Sequence, residues 1–323
     1  MKVLVTTSPF GDPVRQPLDL LKDAGIVPVL NKVGRKYKEE ELNKILIAKN
    51  PDIIIAGTER YDYRELDLAP NLKMISRVGI GFDAVDLEEC KKRGIIVTIT
   101  PDAPTIAVAE LTICQMINML RRVPDVHNDM MQKGWNRYVG REIKNCKIGI
   151  IGFGRIGKAV YKRLLPFEPK GLLVNDIDEG KYSGIDYSHI ASMEKILTES
   201  DIITIHVPYN KENNNFISNH EFSMMKKDAC LINMSRGGIV DEYHLYWWLE
   251  KNKKTFAAID TFATEPYESN LDNIGCDLRK RPNIFMTPHM GSCTRRSRYG
   301  MEVGAAEEVI RFINEEDFRN RIA

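Results

Sequence analysis

Arg236, Glu265 and His289 each stand just after an apolar run of strand type: Leu231–Met234, Ala257–Ile259 and Ile284–Thr287. In open α/β sheets ligands bind beyond the carboxyl ends of strands, so three residues far apart in sequence are expected to meet in one crevice. Their chemistry is complementary. An Arg fork binds a carboxylate through two parallel hydrogen bonds. A His, with an ordinary pKa near ~6.5, gives or takes a proton near neutral pH. A Glu on the other ring nitrogen orients the imidazole and raises its pKa. Beside a nicotinamide, this set suits hydride transfer to a 2-keto acid: Arg236 anchors the acid, His289 protonates the keto oxygen, and Glu265 supports His289.

The nicotinamide is suggested by Lys147-Ile148-Gly149-Ile150-Ile151-Gly152-Phe153-Gly154-Arg155-Ile156-Gly157-Lys158. A lone GxGxxG is weak, but here an apolar strand precedes it, a helical pattern follows, and a second strand ends at Asp176, 19 residues after Gly157. Gly152 permits the tight turn, Gly154 the approach of a pyrophosphate, and Gly157 close helix–strand packing. Arg155 and Ile156, inside the fingerprint, are further cofactor-binding candidates, and the helix pattern Lys158–Leu165 follows, with N-terminal N–H groups to offer to the phosphate charge. The Asp176 carboxylate would accept from the ribose hydroxyls and repel a 2′-phosphate, so NAD is expected over NADP.

These residues need elements to hold them. The first hundred residues alternate strand-like and helix-like segments: Lys2–Thr6, Val27–Leu30, Ile53–Ala56, Met74–Arg77 and Ile95–Ile99 read as strands, and Pro17–Ala24, Glu39–Lys49 and Leu87–Arg93 as helices. A long apolar helix over Pro104–Leu120 follows, with Met116 and Met119 expected to pack in the core. A second alternation runs from Lys147, with strands at Lys147–Ile151, Leu172–Asn175, Ile202–His206 and the three already named, and a final helix over Tyr299–Asn314. Such alternation predicts two doubly wound parallel-sheet α/β domains.

Composition sets the outer limits. The 323 residues suggest roughly two domains. Lys plus Arg (46) and Asp plus Glu (45) nearly cancel, which argues against a nucleic-acid or membrane-surface protein. No apolar stretch suits a membrane span or a secretory signal. Six widely spaced cysteines, with no CxxC pair, read as reduced cytoplasmic thiols. No His/Cys/carboxylate cluster has metal-site spacing, so no metal is expected. The Tyr246–Trp248 cluster reads as packing, and His127, His189, His220 and His244 as structural or solvated.

The sequence resembles the D-isomer-specific 2-hydroxyacid dehydrogenase family. The resemblance rests on Gly152–Gly157, Asn233–Asp241, Asp260–Pro266 and Pro288–Gly291, with lesser support from Arg77–Asp83 and His206-Val207-Pro208. It implies that Arg236 binds the substrate carboxylate, that His289 is the acid–base group paired with Glu265, and that Asp260 meets the nicotinamide carboxamide. It places His206, Val207 and Pro208 at the adenine pocket wall and gives Val78 and Gly79 a backbone loop that closes on the carboxylate. It further implies a flavodoxin-like substrate domain (1–100 and 291–323) split around an inserted Rossmann domain (101–290). A homodimer through the cofactor domain is implied too, with Pro104–Leu120 as hinge and interface and a closing motion between domains.

Within the family, the blocks around Ser76–Asp83, Ser235–Glu242 and His289–Thr294 look most like phosphoglycerate dehydrogenases. A phosphorylated substrate would want cations, for which Arg60, Arg77 and Arg137 are candidates. The chain ends at Ala323, so the C-terminal regulatory domain of many such enzymes is not expected. The Phe167–Gly171 loop replaces the usual short glycine turn and reads as a local change. The rival classes are an NAD-sensing corepressor-like binding protein, separable by a keto-acid screen with NADH, and a phosphite-type dehydrogenase. A formate dehydrogenase would carry Gln at position 265.

Overall fold

The computed structural model describes residues 1–323 except 13 and 269–274. The chain divides into two compact units, Met1–Pro104 with Cys293–Ala323, and Thr105–Ser292.

The first unit begins with β1 (Val3–Val5), α1 (Gln16–Asp23), α2 (Glu39–Lys49), β2 (Ile53–Ala56), α3 (Tyr63–Asp67), β3 (Met74–Arg77), α4 (Leu87–Lys92) and β4 (Ile96–Thr98). The sheet order is β1-β2-β3-β4, parallel throughout. β1, β2 and β3 are buried along their whole length, as strands covered on both faces must be. The strand expected at Val27–Leu30 is reduced to one bridge, Val29 to Leu4. Val5 N–H donates to the Val29 carbonyl and Val29 N–H to the Val3 carbonyl, both at 2.8 Å. Pro28 has no N–H to extend the ladder, and Val27 is exposed at this edge. With Val29 counted, the order is the flavodoxin-like 2-1-3-4-5.

The second unit holds α5 (Thr105–Arg121), α6 (Val123–Met131), β5 (Lys147–Ile151), α7 (Arg155–Leu164), β6 (Gly171–Asn175), α8 (Met193–Glu199), β7 (Ile202–Ile205), α9 (Asn219–Met224), β8 (Cys230–Asn233), α10 (Glu242–Lys251), β9 (Phe256–Ile259) and β10 (Ile284–Met286). Its six strands run parallel in the order β10-β9-β8-β7-β5-β6. A parallel bridge from Ile190 to Val174 marks the place of a further edge strand. β5 pairs with β6 on one side and β7 on the other. Strand order therefore reverses beside β5, which is where doubly wound sheets open a ligand crevice. Met116 and Met119 of α5 lie in the core with Val160 and Leu164 of α7 and Ile148 of β5. Trp248 packs on Phe222 at 5.0 Å between ring centroids.

The chain then returns to the first unit as α11 (Arg295–Ile313). This helix starts four residues before the expected Tyr299, because Thr294 Oγ1 accepts from Ser297 N–H at 3.2 Å and caps it there. Met301, Ala305 and Val309 seal the core over Val3, Val5, Ile53 and Ile55. Among the described residues no helix is long and apolar enough to cross a membrane.

Candidate functional site

The loop between β5 and α7 is shaped by three glycines with different surroundings. Gly152 has φ +90°, and a Cβ there would lie 2.6 Å from the His206 carbonyl carbon. A Cβ on Gly157 would collide with the Gly152 carbonyl oxygen. Around Gly154 nothing lies within 4 Å of the Cβ position. Gly154 is the N-cap of α7 and no side chain caps the helix. Open space over an uncapped helix start, with Arg155 and Ile156 in its first turn, fits the pyrophosphate of a dinucleotide.

Asp176 follows β6 and binds this loop directly. Its Oδ2 accepts from Phe153 N–H at 2.7 Å; its Oδ1 accepts from Asp178 N–H and from the Lys181 ammonium, both at 3.0 Å. Burial pushes the carboxyl pKa up, but these three hydrogen bonds outweigh it, and the net shift is downward. The Asp176 carboxylate is thus fixed and ionised. His206 follows β7. One ring nitrogen, Nε2, lies 2.9 Å from the Thr204 hydroxyl, while Nδ1 is buried without a hydrogen-bond partner. Burial pushes its pKa down to about 3, so the ring is neutral near pH 7. Its backbone is what the Gly152 turn packs against. Val207 packs against the apolar core and the Pro208 carbonyl accepts from Asn213 Nδ2 at 2.6 Å.

The ends of β8, β9 and β10 carry Arg236, Glu265 and His289. His289 Nδ1 lies 2.7 Å from Glu265 Oε2. An ionised carboxylate only accepts, so Nδ1 donates and proton exchange with a ligand falls to Nε2. Glu265 Oε1 accepts from Phe262 N–H at 3.0 Å, which fixes the carboxylate in turn. The Arg236 loop meets this one through Gly237, where a Cβ would collide with the Phe262 carbonyl. Asn233 Nδ2 donates to the Arg236 carbonyl at 2.9 Å and holds the turn.

His289 has φ +49°, uncommon for a residue with a side chain. Asp260, 1% exposed, holds it there. Its carboxylate accepts from the Thr287 hydroxyl (2.6 Å), Met290 N–H (2.9 Å) and Gly291 N–H (2.8 Å), and its carbonyl accepts from His289 N–H (2.8 Å). Asp260 therefore anchors the His289 loop, with about one lone pair left for another donor such as a carboxamide.

Four supporting residues escaped the sequence reading. Glu242, the first residue of α10, accepts from Ala263 N–H at 2.8 Å and ties the Glu265 loop to the helix after Arg236. Burial raises its pKa, partly offset by that N–H and reinforced by Asp241 and Glu265. Thr287 orients Asp260, Lys181 pairs with Asp176, and Tyr182 holds the Asp176 backbone. The one available signal was position: Glu242 directly ends the Arg236 block.

The remaining candidates occupy other places. In the first unit, Arg77 is 4% exposed and donates to the carbonyls of Ala56 (3.2 Å) and Gly81 (2.9 Å). It braces the loop after β3 rather than offering a surface cation. Val78 N–H donates to Ala56 O at 2.9 Å, and Gly79 N–H to Thr100 Oγ1 at 2.8 Å, so that loop is tied on both sides. Arg60, with its side chain 70% exposed, pairs with Asp62 at 2.9 Å. Arg137 belongs to the second unit, exposed on the stretch after α6.

A parallel sheet with a glycine loop at its switch point and an Arg–Glu–His set at neighbouring strand ends defines a nicotinamide-dependent oxidoreductase. Residues 113–291 match the NAD-binding domain of the D-isomer-specific 2-hydroxyacid dehydrogenases. The chain belongs to this family of NAD-dependent enzymes. It is 36% identical over 301 residues to a glyoxylate reductase of Thermofilum pendens, covering 91% of this chain and 87% of that protein. It is 31% identical to a D-3-phosphoglycerate dehydrogenase of Methanocaldococcus jannaschii, over 96% of this chain but 57% of the relative. The structure of a D-lactate dehydrogenase from Aquifex aeolicus, complexed with NAD and lactic acid, superposes with a TM-score of 0.81 at 27% identity, covering 98% of this chain and 96% of that one.

Two outcomes test this geometry. Gly154→Ala, in open space, should leave the melting temperature unchanged yet weaken NADH binding by about tenfold or more, whereas Gly152→Ala should cost about 1–3 kcal/mol of stability. Equal effects of the two in calorimetry and in NADH titration would contradict the assignment. As for pH, the unfolded chain protonates His206 below its ordinary ~6.5 while the folded chain resists until about 3, so stability falls as pH drops through that window. The melting temperature should therefore fall less steeply between pH 6.5 and 4 in His206→Gln than in the parent; parallel slopes would show that the ring is not held neutral.

Proposed function

We propose that the chain interconverts a small D-2-hydroxy acid and its 2-keto acid, with the second unit binding NAD. The observation that carries this reading is the His289–Glu265 pair at 2.7 Å, on a loop packed against that of Arg236. Arg236 would bind the substrate carboxylate with its fork and polarise the adjacent carbonyl. His289 Nε2 would donate a proton to the keto oxygen in reduction and accept it from the hydroxyl in oxidation. Glu265, bonded to Nδ1, would hold the ring in one tautomer and balance the imidazolium charge. NAD, when bound, supplies or takes up the hydride at the carbon bearing that oxygen. Gly154, Arg155, Ile156 and Gly157 would cradle its pyrophosphate and Asp176 its ribose, with one lone pair of Asp260 left for its carboxamide.

The side chain of the acid is the finer question. Arg77 is buried against carbonyls and Arg60 is paired with Asp62, which favours a small unphosphorylated acid of glyoxylate size. The phosphorylated reading rests on Arg60 and Arg137, both exposed. Six widely spaced cysteines, four of them buried, fit a reducing cytoplasm. Exposed Val123, Met130, Met131, Trp135 and Val139 give the second unit an apolar stretch that a second copy would cover in a homodimer.

The test is NADH oxidation against glyoxylate, pyruvate and phosphohydroxypyruvate. Glyoxylate should give the highest kcat/KM; a clear preference for phosphohydroxypyruvate would transfer the assignment to the phosphorylated class, and no oxidation with any of them would remove it. His289→Gln should lower kcat by about 10²–10⁴ with NADH binding retained, and Arg236→Ala should raise KM and lower kcat together. Unimpaired turnover in either variant would refute its role. Light scattering should give twice the monomer mass; a monomer at micromolar concentration would exclude the homodimer.

A further inference from the structure

The acidic residue after β6 does not stand alone. The short turn Glu179–Tyr182 delivers two side chains to it. The Tyr182 phenol donates to the Asp176 carbonyl at 2.8 Å and accepts from Asp176 N–H at 2.6 Å, so one buried hydroxyl holds both backbone groups. Its ring lies 6.2 Å from that of Phe153, the residue between the first two glycines of the loop. The Lys181 ammonium lies 3.0 Å from Asp176 Oδ1. The Asp178 carboxylate nearby accepts from Gly180 N–H at 3.0 Å within the same turn.

The electrostatics of this arrangement differ from those of an isolated carboxylate. An unpaired acid at the ribose position repels a 2′-phosphate. Here a cation sits against the same oxygen, so the local charge of the pair is near zero. The Asp176 side chain is 6% exposed and bound on both oxygens, whereas Lys181 is 39% exposed on a flexible four-carbon stem. The acid is fixed and the cation can reorient.

We propose that Lys181 sets the selectivity of the ribose site: with NAD it stays on Asp176, and with NADP it turns to the 2′-phosphate, making NADP(H) a second, weaker cofactor of this chain. The proposal rests on the reading of the glycine loop as a dinucleotide site. It adds a cation that the fingerprint Gly152–Gly157 and Asp176 do not contain, and it predicts incomplete discrimination where Asp176 alone predicts strong discrimination.

The experiment is titration of the purified chain with NADH and NADPH, followed by nicotinamide fluorescence, in the parent, Lys181→Ala and Lys181→Met. The same comparison with ADP and 2′,5′-ADP by calorimetry isolates the phosphate from the nicotinamide. The parent should bind NADPH within about 30-fold of NADH, Lys181→Ala should weaken NADPH by about tenfold or more, and NADH should change by less than about threefold. The gap between parent and variant should narrow in 0.5 M salt, as an exposed ion pair requires. Lys181→Met keeps the stem without the charge and should match Lys181→Ala. An NADPH to NADH ratio unchanged in both variants, or a parent that binds NADH but not NADPH, would overturn the role of Lys181 while leaving the dinucleotide site intact. A parent that binds neither would overturn the dinucleotide reading and this inference with it.

Discussion

Backbone touches backbone at three places along the carboxyl edge of the six-stranded sheet. Gly152 lies against the His206 carbonyl, Gly157 against Gly152, and Gly237 against Phe262. At each, a single methyl group would have to displace main chain. The first two set the turn from β5 into α7 and leave the space over Gly154. The third brings the Arg236 loop onto the loop that carries Glu265. The glycine loop and the His289–Glu265 pair therefore depend on the same constraint: parallel strands end in loops that close on one another only where side chains are absent.

Between these contacts, carboxylates give the loops their rigidity. Asp176 binds Phe153 N–H, Glu242 binds Ala263 N–H, Glu265 binds Phe262 N–H, and Asp260 binds Met290 and Gly291 N–H. Each main-chain donor lies on a loop, with no ladder partner of its own, and each acceptor is charged, which makes the bonds stronger than neutral ones. The positive φ of His289 is maintained in this way: four hydrogen bonds to Asp260, three of them to its carboxylate, surround the strained residue. The imidazole is then held by Glu265 from one side, which leaves its orientation little freedom.

Most of the architecture was legible beforehand because it follows from local rules. The apolar β-branched runs at Ile53–Ala56, Lys147–Ile151 and Ile202–Ile205 can be buried only in a two-sided parallel sheet. Val27–Leu30 misled, since its composition suits a strand while Pro28 allows only one bridge at the sheet edge. The start of α11 was placed too late, because Thr294 was not recognised as its cap. Arg77 had the right type for a surface anion site, but its burial against Ala56 and Gly81 arises from a loop that folds back four residues later.

The sequence by itself determined two parallel α/β sheets and the glycine-rich turn after β5, and it singled out Arg236, Glu265 and His289 as candidates, because glycine sterics, strand composition and side-chain chemistry are properties of short stretches. Only the tertiary structure decided what each carboxylate holds: that Asp260 supports the His289 loop, that Glu242 ties two loops together, and that Lys181 and Tyr182 flank Asp176. Hydrogen-bond partners separated by up to about thirty residues are chosen by which strand ends lie side by side, and that order is set by the packing of the whole sheet.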